Sequence, residues 1–252
     1  PYPPLRDYAL IGDCHGAAMV CRDGSIDWCC LGRFDAAPVV ARLLDAQRGG
    51  FFSLAPVGPA RSRRHYLPDT AILATRFATA EGEATLIDFM PMGCRPGRRV
   101  HEYTGINAPG WIIRILRGET GRMRCRAAYR PVRGFSGTPA GLSASGGLVT
   151  ATAGPVLQGE AAFTIDGGEA SAEFMLEAGE TRCFILSPAP LARLPLAATA
   201  QRLLDVTTAY WREWVAYCRY DGPHAAAVRR SAITLKLLIY APTGAMVAAP
   251  TT

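Results

Sequence analysis

The sequence is poor in lysine, in histidine and in long apolar runs. Lys236 is the one lysine among 27 lysine and arginine residues, histidine occurs four times, and the formal net charge is +6. No run approaches the ~20 apolar residues that a membrane-spanning helix needs, and no signal peptide is visible, which predicts a cytoplasmic protein with no membrane partner. The arginines are spread from Arg6 to Arg230 without interleaved aromatic residues, which argues against a nucleic-acid partner.

The cysteines lack the spacing of a metal site or a redox motif, because no C-x-x-C occurs among them. The eight are Cys14, Cys21, Cys29, Cys30, Cys94, Cys125, Cys183 and Cys218. Cys14, His15 and Cys21 have neither a fourth ligand nor the usual zinc spacing. None of the four histidines accompanies a serine or cysteine in a recognisable nucleophile motif, which disfavours acyl-transfer chemistry. The sequence therefore predicts no metal and no cofactor, and it predicts buried, reduced thiols in a reducing compartment.

The densest pattern lies near the start of the chain, from Ile11 to Asp35. Asp23-Gly24 between apolar, β-prone runs predicts a hairpin, because both residues tolerate the positive φ of a primed turn. Simple alternation in the second strand places Ile26, Trp28 and Cys30 on one face and Ser25, Asp27 and Cys29 on the other. The strand is followed by Gly32-Arg33-Phe34-Asp35, a glycine hinge with a cation, a ring and a carboxylate. This loop is the candidate site.

Short strands dominate the next part of the chain. Ala71–Thr79 and Ala84–Met90 form one predicted hairpin, and Trp111–Arg117 and Arg122–Tyr129 form another around a turn at Gly118–Gly121. Pro38–Asp45 reads as a short helix. Many strands at this spacing, without βα alternation, predict a large antiparallel β-sandwich over residues 1–190.

Helical periodicity begins after Pro188-Ala189-Pro190. Ala197–Tyr217 predicts a helix of about five turns, within a linker at 191–221. Val228, Ala232, Leu235 and Ile239 mark a second helix with Arg229, Arg230 and Lys236 on its other face. This helix has no helical partner, so residues 222–252 read as the start of an α-helical domain. The first residue is not Met, and the chain ends at Pro250-Thr251-Thr252 shortly after the second helix, which predicts a piece of a longer protein.

Four passages together resemble glycoside hydrolase family 15, in particular its bacterial glucoamylase-like and trehalase-like members. They are YPPLRDYALIGDCHGAAMVCRDGSIDW with the following RFD, HYLPDTAIL, ATLIDFMP, and YDGPHAAAVRRSAITLKLLIYAPTGAMVAAPTT. The resemblance implies a β-sandwich (a super-sandwich) followed by an (α/α)6 barrel, of which this chain holds the first helix. The sandwich would then have the barrel as its intramolecular partner.

The same resemblance implies an exo-acting hydrolase that releases glucose from trehalose or another α-glucoside with inversion. Such enzymes use one carboxylic acid and one carboxylate about 6.5–9.5 Å apart. Both would lie beyond residue 252, so no catalytic residue is assigned within this chain and the chain alone is expected to be inactive.

The resemblance also names candidates for substrate binding or for the domain interface. They are Trp28, Arg33, Phe34, Asp35, Thr251 and Thr252. Aromatic faces stack on sugar rings, and guanidinium and carboxylate groups bond sugar hydroxyls. The alternatives are a core role for Trp28 and an Arg33–Asp35 pair that only fixes the interface. The chain departs from the family at Gly32, where proline is usual, and at Ala36, where serine is usual.

Two other interpretations stay open. A β-sandwich without catalytic carboxylates could act alone, as a carbohydrate-binding or scaffolding module. The apolar face of the last helix could also make the chain a homo-oligomer.

Overall fold

A computed structural model describes residues 2–191 and 195–251. The strands are β1 (Tyr8–Gly12), β2 (Ala17–Cys21), β3 (Ser25–Cys30), β4 (Phe51–Pro56), β5 (Arg61–Tyr66), β6 (Leu73–Ala78), β7 (Gly82–Phe89), β8 (Gly93–Cys94), β9 (Ile106–Asn107), β10 (Ile112–Arg130), β11 (Leu142–Ser145), β12 (Leu148–Ala151), β13 (Val156–Gly159), β14 (Thr164–Asp166), β15 (Glu169–Glu177), β16 (Thr181–Ser187), β17 (Ile239–Tyr240) and β18 (Ala245–Met246). The α-helices of these residues are α1 (Leu196–Val215) and α2 (Ala225–Leu237).

Fourteen of the described strands form two layers that share β10. Layer 1 has the order β1-β2-β3-β4-β10-β15-β14, and layer 2 has the order β5-β6-β7-β10-β16-β13-β12-β11. All of these pairings are antiparallel. The main core lies between the layers, where Phe52 and Leu54 of layer 1 join Phe77 and Leu86 of layer 2 in one buried cluster. This confirms the predicted mainly β, antiparallel sandwich.

The predicted hairpin at Gly118–Gly121 is wrong, because β10 runs through it. The first half of β10 pairs with β7 and β16, and the second half pairs with β4 and β15. A bulge between Gly118 and Thr120 marks the change of layer. A Cβ on Gly118 would lie 2.1 Å from the Glu177 carbonyl oxygen, and Gly121 has a φ of +60°. The glycines therefore permit a close crossing between layers rather than a chain reversal.

The opening hairpin is confirmed, with β2 and β3 joined at Asp23-Gly24. The Asp23 carboxylate accepts the Ser25 amide at 3.0 Å, and Gly24 has a φ of +87°. The predicted alternation in β3 is wrong, however. Val20 pairs with Ile26 and Met19 with Trp28, so Asp27 is an extra residue in a bulge. The bulge shifts the alternation of side chains after Ile26 by one residue. Ile26 and Cys29 therefore lie in the main core, whereas Trp28 and Cys30 lie in a separate cluster.

The predicted helix at Pro38–Asp45 is also wrong, since this segment forms turns. Four of its amides donate to carbonyls outside the segment, and only those of Leu44 and Asp45 donate one turn back, both to the Ala41 carbonyl. Val39 donates to the Cys29 carbonyl at 2.8 Å, Leu43 donates to Asp27 at 3.0 Å, and Arg42 donates to Gly50 at 3.1 Å. Strand β3 and the Gly49-Gly50 turn therefore accept donors that a helix would need.

The two helices cover different parts of the sandwich. Helix α1 confirms the predicted helix and packs Ala200 and Leu204 on the outer face of layer 2, against Ile113 and Ile185. Helix α2 confirms the second, but it ends at Leu237 rather than continuing through Ile239, which lies in β17. The division of the chain at residues 190 and 221 stays a prediction.

No helix of the described residues is both long and apolar enough to cross a membrane. All eight cysteines are free thiols, of which six are buried as predicted, whereas Cys94 and Cys218 are half-buried.

Candidate functional site

The turn between β1 and β2 is built by Asp13. Its Oδ1 accepts the backbone amides of His15 at 3.0 Å and Gly16 at 2.8 Å, while its Oδ2 is buried without a hydrogen-bond partner among the described residues. Burial raises the pKa of Asp13, and the amides and the His15 charge oppose this rise. A Cβ on Gly16 would lie 2.2 Å from the Cys30 carbonyl oxygen, so the turn packs directly on β3.

The loop Gly32–Asp35 lies beside this turn. Gly32 has a φ of +77°, which the proline usual in the resembled family could not adopt. Arg33 and Asp35 form a bidentate pair, with Nε–Oδ1 and Nη2–Oδ2 distances of 2.8 Å. Their side chains are 60% and 70% exposed. The hydrogen bonds from Arg33 lower the pKa of Asp35, and the pair leaves both charged groups at the surface.

Trp28 does not belong to this exposed loop. The structure places its side chain in a fully buried cluster with Cys30 and Ala41. Its indole N–H donates to the Pro250 carbonyl oxygen at 2.7 Å, across 222 positions of sequence. The neighbouring Thr251 is partly exposed. Thr252 lies outside the described residues.

Tyr240 joins the candidate residues to the C-terminal part of the chain. The ring of buried Phe34 meets the Tyr240 ring edge-on at 6.4 Å, and His15 meets it at 6.0 Å. The Arg33 guanidinium lies 5.5 Å from the centre of the same ring. The structure thus brings Arg33 and Phe34 onto the Tyr240 ring, with Asp35 held by Arg33, whereas Trp28 contacts Pro250, ten residues further along the chain.

A cavity of about 370 Å³ opens next to the loop. Its lining comes from the opening part of the chain and from three later loops: His15, Leu31, Gly32, Ala37, Val39, Ala108, Pro109, Gly110, Gly154, Pro155 and Pro188. No carboxylate of the described residues lines it. The cavity can hold a small ligand, but it contains no pair of groups for acid–base chemistry.

Lys236 was predicted on the polar face of α2, and this placement is wrong. The side chain is 1% exposed, with its Nζ 4.6 Å from the centre of the Tyr103 ring, 5.1 Å from Trp214 and 5.7 Å from Tyr210. Burial lowers the pKa of Lys236, and the π faces of the rings stabilise its charge. Ile233 lies three residues before it, so the two side chains share one buried face of α2.

Sequence reasoning missed Tyr240, Pro250 and the environment of Lys236. The spacing from Ile233 to Lys236 was a usable signal for the last of these. Pro250 carried no signal, because its contact with Trp28 joins opposite ends of the chain. Among the described residues, no group of three or more histidine, cysteine or acidic side chains could hold a metal ion.

Comparison with known proteins agrees with the trehalase-like part of the resemblance. The family model described as trehalase-like, N-terminal, matches residues 2–158. The whole chain aligns at 30% identity with a trehalase of Mycolicibacterium smegmatis and at 31% with a trehalase of Mycobacterium tuberculosis. A trehalase of Thermoplasma volcanium is 27% identical over 99% of the chain.

The chain spans 40% of the length of each of these three relatives. The family match covers well over half of the residues of the chain. On this basis the chain belongs to the trehalase-like N-terminal domain family.

Proposed function

We propose that this chain is the N-terminal part of a glycoside hydrolase that cleaves trehalose or a related α-glucoside and releases glucose. The observation that carries the proposal is the alignment of the whole chain with proteins named trehalase, of which it spans 40%. The reaction proceeds with inversion, by the acid and base pair that the family resemblance implies.

The two catalytic carboxylates lie outside residues 1–252 in this proposal. The buried carboxylates within the chain support it, because each already has a structural role. Asp27 accepts hydrogen bonds from Tyr8, Ser25 and Arg42, and Asp88 pairs with Arg114. A carboxylate held in this way is not available to activate water.

The test compares the full-length gene product with residues 1–252 on trehalose, maltose, isomaltose and a longer α-glucan. We expect glucose from at least one substrate with the full-length protein and none with residues 1–252. Proton NMR during the first turnovers should show the β-anomer, as inversion requires. Hydrolysis by residues 1–252 alone would place the chemistry within this chain, and retention of the anomer would exclude the inverting mechanism.

The loop Gly32–Asp35 and Thr251 are proposed to face the catalytic domain, where Arg33 and Asp35 contact either substrate or the barrel. Arg33→Ala should therefore lower kcat/KM of the full-length enzyme. Arg48→Ala is the matched control, because Arg48 also forms a surface pair with a nearby carboxylate, Asp45, at 2.9 Å. Equal activity of the two variants would contradict this role. The rival module hypothesis predicts glycan binding by residues 1–252 with no hydrolysis by the full-length protein.

A further inference from the structure

Residues 238–251, here called the exit segment, follow α2. They lie across residues 11–35, here called the opening stretch. They include the short pair β17–β18, and the Val247 amide closes the segment by donating to the Leu238 carbonyl at 2.9 Å. The opening stretch contacts this region at three separate points. Each contact joins residues more than 200 positions apart in sequence.

The first contact is made by Cys14, in the turn between β1 and β2. Its backbone carbonyl accepts the Ala241 amide at 2.8 Å, and its thiol donates to the Lys236 carbonyl at 3.3 Å. Cys14 has a φ of +62°, an uncommon conformation for a residue with a side chain, and it is fully buried. Lys236 is held from its other end by the three aromatic rings around its ammonium group.

The second contact is the set of rings around Tyr240, and the third is the hydrogen bond from Trp28 to Pro250. The third differs from the others because it is a single directional bond at the far end of the exit segment. The indole lies in a closed cluster with Cys30, Ala41 and Leu43, so its N–H direction is fixed by packing. The acceptor is a backbone carbonyl, so the hydrogen bond restrains the main chain at Pro250.

We propose that Trp28 is a positioning residue for the substrate site of the full-length enzyme. Its indole N–H holds the Pro250 carbonyl and thereby fixes the position of Pro250-Thr251 relative to the sandwich. This rests on the proposed function, in which the catalytic domain follows the exit segment. Trp28 itself does not contact substrate, since its ring is fully buried.

The test removes the indole N–H and leaves the ring shape unchanged. Site-specific incorporation of 3-benzothienylalanine at position 28 of the full-length protein replaces the N–H by sulfur. The same replacement at Trp111 is the matched control, because Trp111 packs in the cluster between layer 2 and α1 and not in the cluster around Trp28. Two readouts are compared, hydrogen exchange of residues 247–251 and kcat/KM on the preferred α-glucoside.

Loss of one hydrogen bond in a packed site should speed exchange of residues 247–251 by roughly three- to tenfold. We expect kcat/KM to fall over the same range while the melting temperature stays close to that of the control. If the replacement at position 28 left the exchange of residues 247–251 unchanged, the hydrogen bond would not hold the exit segment. Faster exchange with unchanged kcat/KM would overturn the positioning role.

If the full-length protein cleaved no α-glucoside, the proposed function would fail, while hydrogen exchange would still show whether Trp28 holds the exit segment. A fall in kcat/KM that the Trp111 replacement reproduces would also count against the inference, because it would then reflect a general effect of the analogue.

Discussion

The strongest prediction concerns Arg114, a charged residue on the core face of β10. Its neighbours at alternate positions, Ile112 and Leu116, belong to the main apolar core. Its guanidinium is fully buried and forms a bidentate pair with Asp88, at 2.7 and 3.2 Å. It also donates to the carbonyls of Phe52 at 2.8 Å and Gly24 at 2.6 Å. Arg114 therefore links β7 of layer 2 to β4 and the hairpin turn of layer 1.

Replacing Arg114 by methionine should lower the free energy of unfolding by about 4 kcal/mol or more. Removal of one partner from a buried ion pair costs about 3–5 kcal/mol, because the other charge remains in the core. Each carbonyl left without a donor adds a penalty of about 1 kcal/mol or more, although such losses are not fully additive. A loss of this size is a large part of the ~5–15 kcal/mol that stabilises a typical domain.

Urea unfolding of residues 1–252, followed by tryptophan fluorescence and circular dichroism, measures this loss. Arg126→Met is the matched control on the same strand, because Arg126 pairs at the surface with Glu169 and should cost about 1 kcal/mol or less. Adding Asp88→Asn to Arg114→Met should recover part of the stability, since it removes the unpaired charge. If Arg114→Met cost no more than Arg126→Met, the reasoning from burial would be refuted.

Three further predictions concern the opening stretch and α2. Because the pKa of Asp13 is raised by burial, the folded protein holds a proton that the unfolded chain releases, so Asp13 destabilises the fold as pH rises above about 3.8. The free energy of unfolding of Asp13→Asn minus that of wild type should therefore become more positive from pH 3 to pH 7. A difference that stayed constant over this range would contradict the prediction. Lys236→Met should unfold within about 1 kcal/mol of wild type in thermal melts, because a buried charge without hydrogen bonds gains little over an apolar side chain of similar volume; a loss above about 2 kcal/mol would show that the aromatic rings outweigh desolvation. Gly16→Ala should cost about 3 kcal/mol in urea unfolding because its Cβ meets a backbone oxygen, whereas Gly32→Ala, which has open space but a positive φ, should cost about 1 kcal/mol; equal costs would contradict the steric argument.

The sequence alone was sufficient to predict features that depend on local chemistry. Asp23-Gly24 predicts its hairpin because the turn needs positive φ at a residue that tolerates it, and Gly24 has a φ of +87°. The 3.6-residue period predicts α1, because one apolar face must cover the outer side of layer 2. Family membership was also visible, since the resembling passages extend along the whole chain.

Only the tertiary structure decided features that depend on distant neighbours. Gly118–Gly121 has the composition of a turn, but β10 continues because strands of both layers pair with its two halves. Pro38–Asp45 has helical periodicity, but β3 and Gly49-Gly50 accept four of its amide donors. Lys236 is buried among aromatic rings from two other segments of the chain, and the Trp28 indole N–H finds its acceptor at Pro250, 222 positions away. Local sequence determines which conformations a segment can adopt, and the partners that satisfy its backbone and charges determine which of them it does adopt.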